Sequence, residues 1–243
     1  MKQQKKIHRI YLSDEFKSDT YTCSIELSHR ILNVLRIKND ETLSVFNHKR
    51  QEYLATVSND GKHAILNLIE EIKIKNNDSR IITLGVSIIN MKLMDLIIQK
   101  SVELGVTNFS PIYTQRSQYK SVDKKLDHWK KIAIHSTEQC GRLELMKISN
   151  PVSLNHFNNN HQCLYKYLLH QNGEKFDYED LTNNDVSLLV GPEGGFEDHE
   201  VEYLETNGWK MKTINVNILR TETACISALS LLNNYDIFSR YSL

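Results

Sequence analysis

From Arg80 onward the chain alternates short apolar runs with helical patterns, and this alternation narrows the fold more than any other feature. "RIITLGVSII" and "VSLLVG" are continuous apolar runs, as strands buried on both faces of a parallel sheet must be. "NFSPIYT", "QCLYKYLLH" and "WKMKTINV" read as further strands. Between them lie helical stretches. "MKLMDLIIQKSVELGV" is amphipathic and stops at Gly105, a typical position just past a helix end. "KLDHWKKIAIHSTEQC" puts Leu126, Trp129, Ile132 and Ala133 on one side. "EDHEVEYLETNG" ends at Gly208, and "TETACISALSLLNNYDIF" forms a last helix with Thr221 as its N-cap. "NHFNNNHQ" reads as a loop. The expectation is an α/β domain with a parallel sheet.

The first seventy residues have a different texture. "KIHRIYL", "ETLSVFN", "EYLATVSN" and "HAILNLIEEI" alternate polar and apolar residues, and "RIKNDE" and "SNDGKH" supply turns. "LSHRILNVLRI" has helical spacing at Leu27, Ile31, Val34 and Leu35. A small β barrel with one helix fits this pattern. The polar stretch "IKIKNNDSR" reads as a linker with a boundary near Asn77, dividing the chain into residues 1–76 and 77–243.

Bulk chemistry excludes several functions. Thirty Lys/Arg balance thirty Asp/Glu, which argues against a protein that coats nucleic acid non-specifically. The cations are not uniform, however. Arg116 to Lys131 holds six cations and two anions, either a solvated helix face or a phosphate-contacting patch. No apolar run has the length of a membrane span, and the basic N-terminus has no apolar core behind it, so a cytoplasmic protein is expected. The four cysteines and ten histidines are scattered without ligand spacing, so no metal site is expected.

Only nine glycines and three prolines occur in 243 residues, yet three of those glycines and one proline cluster in "LLVGPEGGFEDHE". In an open parallel sheet, ligands bind beyond the C-terminal strand ends, where this loop falls. It lacks the Lys-Ser/Thr of a phosphate-binding P-loop and the spacing of a dinucleotide fingerprint. Glu193 inside it is a poor neighbour for phosphate. The loop suits either a tight strand-to-helix turn or a ligand read by backbone groups. "NILRTETACISAL" follows the next strand, with Arg220 and Glu222 flanking Thr221, and "STEQCGR" carries Glu138, Gln139 and Arg142.

Taken together and in order, "EQCGR", "LLVGPEGGF" and "ILRTETA", with "IQKSVELGV" before them, resemble the bacterial ribosomal RNA small subunit methyltransferase E family of the SPOUT class. The resemblance covers nearly the whole chain. It implies a PUA-like RNA-binding barrel followed by an α/β domain with a deep trefoil knot, and a homodimer. The implied reaction is methylation of uridine N3 in 16S ribosomal RNA of the small subunit, with S-adenosylmethionine as methyl donor. Two positions depart from the usual LGxRILRTETA: Asn215 stands for the glycine and Asn217 for the arginine. "NMKLMD" also replaces the usual Gly and Lys of the first helix.

By this resemblance Gly191, Pro192, Glu193 and Gly194 line the cofactor, with Leu169 and His170 beside them. Ile214, Asn217, Ile218, Leu219 and Thr223 close the pocket. Glu138 or Glu222 is expected to accept the uracil N3 proton, while Arg220 and Arg142 stabilise the developing negative charge. Arg116 and Lys120 on the basic run, and His8 and Arg9 on the first strand, are expected to contact RNA. Three other readings fit the same residues: another SPOUT methyltransferase with a different target, a non-catalytic RNA-binding protein, or an ordinary doubly wound nucleotide-binding enzyme.

Overall fold

The computed structural model describes residues 7–72, 80–119, 121–160, 163–182 and 185–239. The Lys-rich start, the linker around Asn77, and Lys120 lie outside the described residues. The chain divides into two compact units: Met1–Asn77 with Thr137–Glu144, and Asp78–Ser136 with Leu145–Leu243.

The N-terminal unit is built on a five-stranded mixed sheet. Its strands are β1 (Arg9–Leu12), β2 (Thr20–Thr22), β3 (Thr42–Asn47), β4 (Glu52–Asn59) and β5 (Ala64–Glu71), in the spatial order β1-β3-β4-β5-β2. Only the β1–β3 pair is parallel. Ile10 and Leu12 of β1 face a core with Leu43, Val45, Ala55, Val57 and Leu66. The helical stretch is short: α1 (Ile25–His29) runs into a π turn at Arg30–Val34. Ser24 caps α1 by accepting from the Leu27 N–H at 3.2 Å.

β3 is buried on both faces, and this explains why residues 137–144 belong to this unit. Ser44 and Phe46 lie on the face opposite the apolar core. There Arg9 stacks over the Phe46 ring at 4.5 Å and pairs with Glu52 at 2.8 Å. Its other nitrogens donate to the carbonyls of Thr137 and Arg142, each at 3.2 Å.

The C-terminal unit is an α/β fold on a parallel sheet. Its strands are β6 (Ile81–Ser87), β7 (Asn108–Tyr113), β8 (Lys147–Ile148), β9 (Val152–Ser153), β10 (Tyr165–Lys175), β11 (Asp185–Val190) and β12 (Lys210–Thr213). The order is β12-β10-β11-β6-β7-β8, with β9 also pairing β7, and every pairing is parallel. β6 and β11 are buried on both faces after their first residues, as their unbroken apolar runs require. The helices are α2 (Met91–Glu103), α3 (Leu126–Cys140, of which the part up to Ser136 belongs to this unit), α4 (Leu154–Asn160), α5 (Tyr178–Thr182), α6 (Asp198–Thr206) and α7 (Thr221–Ser239). Asn90 caps α2 by accepting from the Lys92 N–H at 2.9 Å.

One sequence reading is overturned. "NHFNNNHQ" was expected to be a loop, but Leu154–Asn160 is helical. Leu154, Phe157 and Asn158 face inward at helical spacing, and Phe157 packs with Ile112, Leu168 and Trp209. Asn158 accepts from the Trp209 indole at 2.9 Å and donates to the Tyr203 hydroxyl at 3.1 Å. Burial of Phe157 and these bonds override the poor helix propensity of asparagine.

Candidate active site

Within the C-terminal unit a cleft of about 450 Å³ is lined by three chain segments: residues 169–172, residues 190–196, and residues 212–219 apart from Val216. Arg116, Asp198, Thr221 and Ala224 complete it.

The first wall is an excursion from a strand. Lys212 of β12 pairs with both Leu169 and Glu174 of β10, so residues 170–173 loop out of register between them. Gly173 makes this possible, because a Cβ there would sit 2.6 Å from the Lys212 backbone. Below the excursion the Lys212 ammonium is buried against Asp180 at 2.6 Å. Burial alone would raise the Asp180 carboxyl, but the Lys212 ammonium, the Asp177 N–H and the Tyr167 hydroxyl hold it below the usual carboxylate range.

The second wall is the glycine loop between β11 and α6. The Gly195 N–H donates to the Pro192 carbonyl at 2.9 Å, closing a tight turn. Gly195 sits at φ +72°, a conformation that a side chain would strain. A Cβ on Gly191 would meet the Phe196 ring at 2.8 Å. Glu200 of α6 accepts from the N–H groups of Glu197 and Gln115, both at 2.9 Å, and ties the loop's end to the segment after β7.

The third wall follows β12. Asn215 does not take a positive φ in place of the family's glycine. Its side chain accepts from the Val216 N–H at 2.8 Å instead. Thr221 opens α7 as its first helical residue, and its hydroxyl donates to the Gly191 carbonyl at 3.0 Å. It therefore bridges the second and third walls instead of capping its own helix, which corrects the N-cap expectation.

Ten of the eleven residues expected at a cofactor line this cleft: Leu169, His170, Gly191, Pro192, Glu193, Gly194, Ile214, Asn217, Ile218 and Leu219. Thr223 is exposed and is not part of the lining. Lys212, Thr221 and Phe196 were missed. Lys210 and Lys212 alternate alike in "WKMKTINV", so nothing in the sequence marks Lys212 as the buried one.

The charged candidates separate. Arg220 is exposed, and its side chain has no hydrogen bond or ion pair among the described residues. Glu222 is half-buried, and its Oε2 is buried without a hydrogen-bond partner. Glu138 belongs to the N-terminal unit, where both oxygens are held by the Arg30 guanidinium and Oε1 also accepts from the Tyr11 N–H at 3.0 Å. Arg142 lies in the same unit, and burial pushes its guanidinium pKa down. His8 is exposed, whereas Arg9 is engaged by Glu52 and two carbonyls. Arg116 lies on the cleft rim, bonded to Glu197 and the Gly194 carbonyl. Among the described residues no His/Cys/Asp/Glu group could hold a metal ion.

Residues 76–233 match the family described as RNA methyltransferase domain. The ribosomal RNA small subunit methyltransferase E of Rickettsia conorii is 32% identical over 236 residues, covering 93% of this chain and 94% of that protein. This chain belongs to the ribosomal RNA small subunit methyltransferase E family. The Aquifex aeolicus member is also 32% identical, over 86% of this chain and 92% of its own length. Among solved structures, a putative methyltransferase of Legionella pneumophila, in complex with the bound cofactor SAM, superposes with a TM-score of 0.88 at 31% identity, over 95% of this chain and 98% of that one. The family member from Neisseria gonorrhoeae, bound to S-adenosyl methionine, has a TM-score of 0.87 at 28% identity, with the same coverage. The α/β fold with its parallel sheet is the one typical of SPOUT methyltransferases.

Proposed function

We propose that this chain transfers a methyl group from S-adenosylmethionine to N3 of a uridine in the 16S ribosomal RNA of the small subunit. The observation that carries this reading is the convergence of the glycine loop, the 170–173 excursion and the ILRTETA segment on one cleft. S-adenosylmethionine has a sulfonium cation and no phosphate, and the cleft's charges fit it. Both lining cations are paired, Arg116 with Glu197 and Lys212 with Asp180. Glu193 and Asp198 add negative charge to the lining. The cleft volume lies inside the range of about 300–1,000 Å³ common for small-molecule sites. Thr221 and Arg116 hold the carbonyls of Gly191 and Gly194, so the turn is shaped before a ligand arrives.

Transfer to N3 needs the N3 proton removed and the resulting charge on uracil O2 and O4 stabilised. When bound, S-adenosylmethionine supplies the electrophilic methyl and leaves as S-adenosylhomocysteine. Of the two expected proton acceptors, Glu222 is the one we assign. Among the described residues its Oε2 has no donor, whereas both oxygens of Glu138 are engaged by Arg30 and Oε1 also by the Tyr11 N–H. Arg220, whose side chain has no hydrogen bond or ion pair among the described residues, is assigned to the uracil oxygens. His8 and the exposed lysines of α3 are assigned to RNA phosphates.

The finer architecture follows the same reading. We assign a PUA-like barrel to the N-terminal unit and a trefoil knot to the segment between β12 and α7. In support of the knot, residues 214–220 lead from the sheet edge to α7, whose first residue bonds the end of β11. We assign a homodimer because Val216 and Ile218, beside the cleft, are 88% and 83% exposed and apolar. Among the described residues no helix is long and apolar enough to cross a membrane, in keeping with the cytoplasmic location we assign.

The test is methyl transfer from labelled S-adenosylmethionine to small ribosomal subunits from a strain lacking the gene, followed by nucleoside mass spectrometry. The expected product is 3-methyluridine. A different methylated nucleoside would overturn the base assignment, and cofactor binding without transfer would favour a binding-only protein.

A further inference from the structure

We infer that Arg116 and Gln118 are positioning residues for the cofactor loop: they latch the GPEGG turn from outside, and the charge of Arg116 is spent there and not on RNA. The inference rests on the cofactor reading above. Arg116 sits in a basic run, which invites assignment to phosphate, but its contacts point elsewhere. Its Nε donates to Glu197 Oε1 at 2.8 Å, and a terminal nitrogen donates to the Gly194 carbonyl. Two residues on, the Gln118 side-chain amide donates to Glu193 Oε2 at 2.5 Å. Three successive sites of the loop, at 193, 194 and 197, are thus held by one short segment.

That segment is itself fixed. The Ser117 N–H donates to the Thr114 carbonyl at 3.1 Å, and the Ser117 hydroxyl accepts from the Thr114 N–H at 2.9 Å. Thr114 Oγ1 donates to Ser87 Oγ at 3.2 Å, anchoring the turn to the end of β6. The adjacent Gln115 N–H reaches Glu200 of α6. The planar guanidinium suits this role, because it serves a carboxylate and a carbonyl from two nitrogens in fixed geometry, which an ammonium cannot reproduce. The latch carbonyl, Gly194, belongs to the loop that lines the cleft, so releasing it loosens the wall on which the cofactor lies.

A latch and a phosphate contact separate experimentally. The Arg116→Ala, Arg116→Lys and Gln118→Ala variants are compared with the wild type in full-length protein. Calorimetry gives affinity for S-adenosylhomocysteine, and RNA binding is followed against salt. The latch predicts that Arg116→Ala weakens S-adenosylhomocysteine about three- to tenfold, the scale of a partly exposed charge-assisted bond. Gln118→Ala follows with a smaller loss, and Arg116→Lys restores little. The slope of RNA affinity against salt stays unchanged. A slope smaller by about one, with cofactor affinity intact, would make Arg116 a phosphate contact and overturn the inference. If the wild type bound no S-adenosylhomocysteine, the cofactor reading itself would fail, independently of the latch.

Discussion

The two units handle charge in opposite ways. In the N-terminal unit the charged side chains around β3 satisfy one another: Arg9 with Glu52, Arg30 with Glu138, and the spare donors of Arg9 with carbonyls. Around the cleft of the C-terminal unit pairing is selective. Lys212 and Asp180 are closed into a pair, and Arg116 is bound to Glu197, while among the described residues the Arg220 side chain and Glu222 Oε2 have no hydrogen-bond partner. A paired charge holds shape, whereas the unpaired Arg220 and Glu222 are the ones the proposed function gives to a substrate. The glutamates of "EQCGR" and "RTETA" look equivalent in sequence, and only their partners separate them.

The sharpest test of that contrast is Glu222→Gln. The amide keeps the shape and removes the base, so methyl transfer should fall about 10³-fold, within the range for losing a general base. Affinity for S-adenosylmethionine should stay within about twofold, measured by calorimetry. Unchanged turnover would break the distinction between reserved and structural charge.

Next in size is Lys212→Met. It leaves Asp180 buried without its cation and should cost about 3 kcal/mol, seen as a melting temperature lower by about 6–12 °C. The pH dependence has a definite sign. The Asp180 carboxyl is held below its ordinary value of about 3.9, so the wild type carries this stability above that pH and loses it as pH falls toward the folded value. Denaturant titrations below about pH 4 should show a shallower acid loss in the variant. An equal acid slope in both proteins would remove Lys212 from the account of this wall.

Arg220→Ala should lower kcat about 100-fold, as expected for a donor aimed at developing charge. Because the Arg220 side chain is not part of the lining and has no hydrogen bond or ion pair among the described residues, cofactor affinity and melting temperature should barely move. Parallel losses in rate and cofactor affinity would instead make it part of the cofactor wall.

The contrast also explains what the sequence could reveal. Continuous apolar runs exposed β6 and β11, because strands covered on both faces must be apolar throughout. The glycine loop was visible because its residues answer local demands, such as the φ of Gly195. Less visible were features that depend on distant partners. Leu154–Asn160 looked like a loop until Trp209 and Tyr203 supplied partners for Asn158. The edge strands β2, β8 and β9 have two or three residues each, too few to show a period. The excursion at 170–173 is defined by register against Lys212, some forty residues later, and Thr221 announced a helix start but not a bond to Gly191. Arg116 was assigned by the company it keeps in sequence, whereas its contacts lie about 80 residues away.

The smallest expected effect closes the comparison from the other side. Glu138 meets Arg30 across 108 residues of sequence, and both its oxygens are occupied. Glu138→Gln keeps one acceptor for the Tyr11 N–H but leaves Arg30 facing an amide. The Glu138 side chain is 6% exposed and Arg30 29%, so the pair is screened only in part. A loss of about 2 kcal/mol is expected, read as a melting temperature lower by about 4–8 °C. Measured well below that transition, kcat should remain within about twofold of wild type, because a carboxylate held on both oxygens by a guanidinium is stabilised in its charged form and is a weaker base. A fall in kcat with stability intact would reverse the assignment: Glu138 would be the base, Arg30 its orienting partner, and the orphan oxygen of Glu222 would need a structural explanation instead.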